Sequence, residues 1–166
     1  WLKSNPDGYA LWFANRCRVD ESVRLLAEAI VPVGKYNKNK TVLQRIVQIL
    51  KRHRDMMFSN DKDDKPISII ITTLAARAYK GEKNILDGLV NVVNNMSNGI
   101  AKGSKGEDWV ANPVNPEENF ADKWTSYPRR RENFYKWIIA VKKDVNNILE
   151  STNRTMIYDN IARAFG

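Results

Sequence analysis

The stretch Lys65–Glu82, "KPISIIITTLAARAYKGE", decides the fold class of this chain. Its opening, "PISIII", is the one run in the sequence with marked strand propensity, because clustered isoleucines suit a pleated, half-buried surface. No turn signal separates it from "TTLAARAYKGE", so the apolar run is too long for a strand and reads as a buried helix. Asp64 and Pro66 mark a start near Lys65, and Gly81 marks the stop after Lys80. With that run assigned to a helix, no segment carries a convincing strand pattern, and the fold class is all-α, a helical bundle.

The neighbouring segments agree. Upstream, Thr41 caps a helix that runs to about Phe58, and "FSNDKDDK" is a polar break after it. Further back, Asn5-Pro6 is a helix-start signal that sets Tyr9, Trp12, Phe13 and Cys17 on one stripe. A short helix carrying Val23, Leu25 and Leu26 is expected before Pro32, followed by an exposed "VGKYNKNK" loop. Downstream, Ile85, Leu86, Leu89, Val90, Val93 and Met96 share a helix that Asn98-Gly99 closes. Residues from about Ala101 to Asn115 form the longest loop, and Asn115-Pro116 opens a short helix. Ser126 and Pro128 then open a long helix with a heptad-like seam of Phe134, Trp137, Ile138, Val141, Val145, Ile148 and Leu149. Met156, Ile157, Ile161 and Phe165 mark a terminal helix.

At 166 residues this is the size of one domain. Lys and Arg number 27 against 19 Asp and Glu, a net charge of +8, which suits an anionic partner such as nucleotide, nucleic acid or an acidic surface. The single Cys17 excludes an internal disulfide, and one His with one Cys cannot assemble the usual zinc spacings. No run approaches the roughly 18 apolar residues of a membrane span, and the start has no signal-peptide pattern, so a soluble, cytoplasmic protein without membrane contact is expected. The chain opens on Trp1 at the approach to a helix, which suggests a piece of something longer.

On a helical wheel the Thr41–Phe58 segment is apolar over most of its circumference. The exception is a strip of Gln44, Gln48, Lys51 and Asp55, with Arg45 and Arg52 along one edge as possible anion contacts. The basic run in "QILKRHRD" (Gln48–Asp55) therefore does not act as a unit. His53 falls in the apolar arc and reads as a core histidine bonded to a neighbour. Lys51 is matched on the next helix by Ser68 and Thr72, which share one face, with Ser68 in the first turn, where free N–H groups and the helix dipole favour an anion. A lysine on one helix and a hydroxyl at the head of the next can hold a phosphate together. A solvated lysine and a capping or core serine are the bland alternatives. Asp61, Asp63 and Asp64 read better as caps and solubilising groups than as magnesium ligands. Arg129–Arg131 sit in the first turn of a helix, against its dipole, where either solvent or a polyanion would meet them.

Four phrases in order, "SNPDGYALWF", "VLQRIVQILKRHRD", "KPISIIITTLAARAY" and "NPVNPEENFADKW", together resemble the C-terminal helical half of bacterial cyclic-oligonucleotide synthases related to cyclic GMP-AMP synthase and oligoadenylate synthase. The resemblance runs from Trp1 to about Leu149. It implies a nucleotidyltransferase of the polymerase-β type that joins nucleoside triphosphates into cyclic di- or trinucleotide second messengers in antiviral defence. It also implies a catalytic half, with a Gly-Ser motif and strand-borne aspartates binding Mg2+, placed upstream of residue 1. Gly103-Ser104 is followed by "KGEDWV" and not by an apolar strand, so residues 1–166 read as a single C-terminal helical domain with no catalytic or metal-binding residues, inactive alone. By the same resemblance Lys51 matches the lysine on the donor triphosphate and Ser68 the small polar residue near base and phosphates. Thr72 and Gln48 complete the candidate nucleotide-binding set. Asn112, Pro113, Asn115, Pro116 and Asn119 match the "NPVNPEEN" signature, for which a bracing loop is as good a reading as a ligand contact. A regulatory protein or nucleic acid is a possible further partner. The alternative functions are a freestanding helical module binding nucleic acid through "KYNKNK", "KRHR" and "PRRR", or an interaction scaffold using Trp109 and Trp124.

Overall fold

The computed structural model describes residues 5–18, 40–151 and 153–166, and the expected Val23–Leu26 helix and most of the "VGKYNKNK" loop lie outside them. The described chain is mainly helical, in the order α1 (Pro6–Cys17), α2 (Val42–Met57), α3 (Ser68–Ala78), α4 (Ile85–Asn95) and a 3₁₀ turn (Met96–Gly99). Four short strands follow, β1 (Ala101–Lys102), β2 (Asp108–Trp109), β3 (Ala111–Asn112) and β4 (Asn115–Asn119). The chain then enters α5 (Lys123–Ser126), α6 (Pro128–Glu150) and α7 (Arg154–Phe165). No described helix is long and apolar enough to cross a membrane.

The deciding stretch is helical and central. Every residue of α3 from Ile70 to Ala76 is buried, so it is wrapped on all sides and needs no amphipathic pattern. That burial overrides the β preference of its Ile and Thr residues. The helix starts at Ser68, three residues later than the sequence suggests, because Lys65 precedes a proline and Ile67 is still extended at φ −75°, ψ 145°. At the far end Gly81 takes φ +91°, which a side chain would resist, and turns the chain toward α4.

Around α3 pack α1, α2, α4 and the 3₁₀ turn. Leu43, Ile46 and Leu50 of α2, Ile70, Ile71 and Leu74 of α3, and Phe134, Trp137 and Val141 of α6 have no exposed surface. The α2 start carries a capping box: the Gln44 amide N–H donates to Thr41 Oγ1 (3.3 Å), and the Thr41 N–H donates to Gln44 Oε1 (2.9 Å). Gln44 of the polar strip is therefore occupied by its own helix end. The α6 seam holds from Phe134 through Val145 and then opens, for Ile148 faces a cavity and Leu149 is exposed.

Residues 101–119 differ most from expectation. In place of a long loop and a short helix opened by Asn115-Pro116, β1 pairs with β2 and β3 with β4, each antiparallel. Asn119 organises this region. Its Oδ1 accepts from the N–H groups of Val110 (2.8 Å) and Ala121 (2.9 Å), and its Nδ2 donates to Asp108 O (2.9 Å). Asn112 Oδ1 accepts from the Val114 N–H (3.0 Å) and closes the turn through Pro113, while Asn112 Nδ2 donates to Glu118 (2.7 Å). In this structure the "NPVNPEEN" signature braces a hairpin. Gly103-Ser104 lies in the β1–β2 turn, whose Gly106 has φ +80°.

Candidate functional site

Sequence places α2 and α3 in succession, and their packing brings the last turns of α2 beside the first turn of α3. No side chain caps α3 at Ile67, so the first-turn N–H groups lack an intrahelical partner. Arg54 ties the two helices together. It is only 5% exposed, and its Nη1 donates to Pro66 O (3.0 Å) and to Ser68 Oγ (2.9 Å). Its Nε and Nη2 reach Asp55 Oδ1 (3.0 and 2.9 Å), which Lys65 Nζ also contacts (2.9 Å).

Electrostatics follow from this wiring. Burial would raise the Asp55 carboxyl, but hydrogen bonds and charge from Lys65 and Arg54 outweigh it and hold the group below its usual value. Lys51 stands one turn before Arg54. Burial, and then the Arg54 charge, push its ammonium down, with Asp55 pulling the other way. Asp55 is engaged by Arg54 and Lys65, and among the described residues nothing hydrogen-bonds or ion-pairs with Lys51. Lys51, Arg54 and Lys65 thus face a single carboxylate beside an uncapped helix N-terminus, a local excess of two positive charges. Point charges and oriented N–H groups together attract an anion.

The residues singled out from sequence divide into two groups. Ser68 is exposed with its hydroxyl proton free to donate outward, since Oγ is the acceptor for Arg54. Thr72 is 7% exposed and donates its hydroxyl to Ser68 O (2.8 Å), so its proton is used within α3. Lys51 makes no hydrogen bond to either hydroxyl among the described residues and feels the Arg54 charge one turn away. Gln48 and Arg52 face elsewhere and line an apolar cavity of about 600 Å³ between α2, α4, α6 and α7. Arg52 Nε also donates to Phe165 O (2.7 Å), and Arg45 is exposed on α2. Arg54 is the residue that sequence reasoning passed over. Its signal was there, for Val47, Leu50 and Arg54 fall three and four residues apart on the buried face, where an arginine must find partners.

The other motifs resolve into structure. His53 is 2% exposed, with Nε2 3.1 Å from Asp144 Oδ2. The acidic break and the basic run meet: Arg129 pairs with Asp61 (2.8 Å) and Asp64 (3.5 Å), and Arg130 with Asp64 (3.4 Å). Arg131 Nε lies 2.6 Å from Asp108 Oδ2. Burial would raise the Asp108 carboxyl, but hydrogen bonds from Lys102 and Arg131 hold it low. The "PRRR" run is therefore largely neutralised, and Trp124, 7% exposed against Phe134 and Tyr135, is core and not a docking surface.

No family model matches the chain. It is similar to a protein named c-di-GMP synthase from Roseivirga ehrenbergii, 35% identical over 142 residues that make up 83% of this chain and 38% of the relative. The chain thus spans well under half the length of the curated relative it matches.

Proposed function

We propose that this chain is the helical part of a nucleotidyltransferase that joins nucleoside triphosphates into a cyclic dinucleotide, and that the head of α3 holds the triphosphate. The observation that carries the reading is the pair of uncompensated positive charges at Lys51, Arg54 and Lys65 beside the uncapped α3 N-terminus. The similarity to a protein named c-di-GMP synthase supports the same chemistry.

On this reading Lys51 acts as a point charge on the phosphates, and Ser68 donates its hydroxyl proton to a phosphate oxygen. Arg54 is a positioning residue that sets Ser68 and anchors α2 to α3. As nucleotidyl transfer proceeds, charge moves onto the leaving pyrophosphate, and an ammonium without an ion-pair partner stabilises that charge. Thr72 locks the first turn of α3. The described residues do not suit magnesium, for they contain no group of three or more His, Cys, Asp or Glu able to hold a metal, and Asp61 and Asp64 are paired with arginines. Metal binding belongs, in this proposal, to a catalytic domain upstream of residue 1, and the attacking hydroxyl is that of the acceptor nucleotide's ribose. An antiviral second messenger made in the cytoplasm is the setting in which such an enzyme would act.

The test uses the parent protein with magnesium and labelled GTP, ATP or both. Phosphatase-resistant cyclic products are expected, with GTP alone tried first. Intact triphosphates under all three conditions would remove the enzyme reading. Residues 1–166 alone are expected to bind nucleotide without turnover.

A further inference from the structure

The other end of α3 opens on a second hollow, of about 550 Å³, lined by Arg16, Leu74, Arg77, Lys80, Met96 and Asn98 among others. It lies about 16 Å from Ser68 by helix rise over the 11 residues of α3. Not one of its described lining residues is acidic. Among the described residues, Arg16, Arg77 and Lys80 take part in no ion pair. Glu82, the acid nearest in sequence, has both oxygens in use: Oε1 accepts from Asn91 Nδ2 (2.6 Å) and Oε2 from the Lys80 N–H (3.0 Å).

The two guanidinium groups are nevertheless fixed. Arg16 Nε donates to Ala76 O (2.7 Å), and its Nη2 donates to Tyr79 O. Arg77 Nη1 donates to Gly99 O (3.4 Å) and Nη2 to Ala111 O (2.7 Å), so it spans α3, the 3₁₀ turn and β3. Backbone carbonyls orient both groups without cancelling their charge, since a helix C-terminus supplies only about half a negative charge. Burial already pushes the Arg77 guanidinium down, with only Tyr9 to oppose it. Part-buried arginines held rigidly, with N–H donors to spare, are pre-organised for a tetrahedral oxyanion. The hollow is within the roughly 300–1,000 Å³ typical of small-ligand sites.

We propose that this hollow is a second binding site, for the phosphate group of a small ligand of mononucleotide size, with Arg16 and Arg77 gripping the phosphate and Lys80 closing over it from the rim. It does not depend on the reading of Lys51. The test is calorimetric titration of the full-length parent protein carrying Lys51→Ala, so that the other end of α3 contributes least, with AMP, inorganic phosphate and adenosine as probes. AMP should bind and adenosine should not, with Lys80→Glu weakening AMP at least tenfold. Lys80 is exposed and only its backbone N–H is engaged, so this variant should fold normally even where Arg77→Gln, which releases the hairpin, does not. Competition by inorganic phosphate would show that the phosphate carries the recognition. Equal binding of AMP and adenosine, AMP affinity unchanged in Lys80→Glu, or no AMP binding at millimolar concentration would each overturn the proposal.

Discussion

Two basic runs look alike in the sequence and differ in the fold. "QILKRHRD" and "PRRREN" each place several cations close together near a helix end. In the second, Arg129, Arg130 and Arg131 meet Asp61, Asp64 and Asp108, so most of the charge is cancelled, with Lys102 sharing Asp108. In the first, the four side chains go separate ways. Arg52 caps the end of α7, His53 meets Asp144, Arg54 crosses to α3, and Lys51 is left without an ion-pair partner among the described residues. An anion site is marked by the charge that remains after pairing, and not by the density of basic letters.

This contrast can be broken at four points. The largest effect is expected for Arg54→Ala, which removes buried charged hydrogen bonds to Pro66 O and Ser68 and should cost about 3 kcal/mol of stability in a urea titration. A loss near zero would mean that α2 and α3 dock without it. Lys51→Ala should weaken triphosphate binding by about 2 kcal/mol, roughly thirtyfold, with little change in stability. Unchanged affinity in the parent enzyme would remove Lys51 from the site.

Asp108→Asn should cost about 1.5 kcal/mol at neutral pH, because the buried carboxylate faces Lys102 and Arg131 that are themselves part-exposed. The folded carboxyl titrates below its unfolded value of about 3.9, so the folded state holds fewer protons there and stability rises with pH. That stabilisation is fully present above the unfolded value and lost as pH falls through the folded one. The gap between wild type and Asp108→Asn should therefore close below about pH 4 in acid melts. Smallest of all, Arg129→Ala should change stability by about 0.5 kcal/mol or less, since its guanidinium is 67% exposed. High salt should erase that difference, and a loss several times larger would show a network stronger than its geometry implies.

Legibility in the sequence followed the range of the interactions concerned. The α2 wheel was readable because Leu43, Ile46, Val47 and Leu50 repeat with the helix period, and these residues are buried. The α6 seam was readable for the same reason as far as Val145. The hairpins were not, for three of their four strands have two residues and no period to detect, and the contacts that set them come from Asn119 side-chain bonds several residues away. Within the candidate site, Lys51 and Ser68 could be picked out by helix face and position. Arg54 was visible only as a misfit on the apolar arc, because its partners are supplied by a different helix.

Sequence alone determined the helical class, the central burial of α3 and the candidates Lys51 and Ser68, since helix periodicity, caps and breakers act over a few residues. Only the tertiary structure decided which cations are cancelled and which are left. Pairing such as Arg129 with Asp61 or Arg131 with Asp108 joins residues 68 and 23 positions apart, and Coulomb energy depends on distance in space and on burial, neither of which is written in the order of the residues.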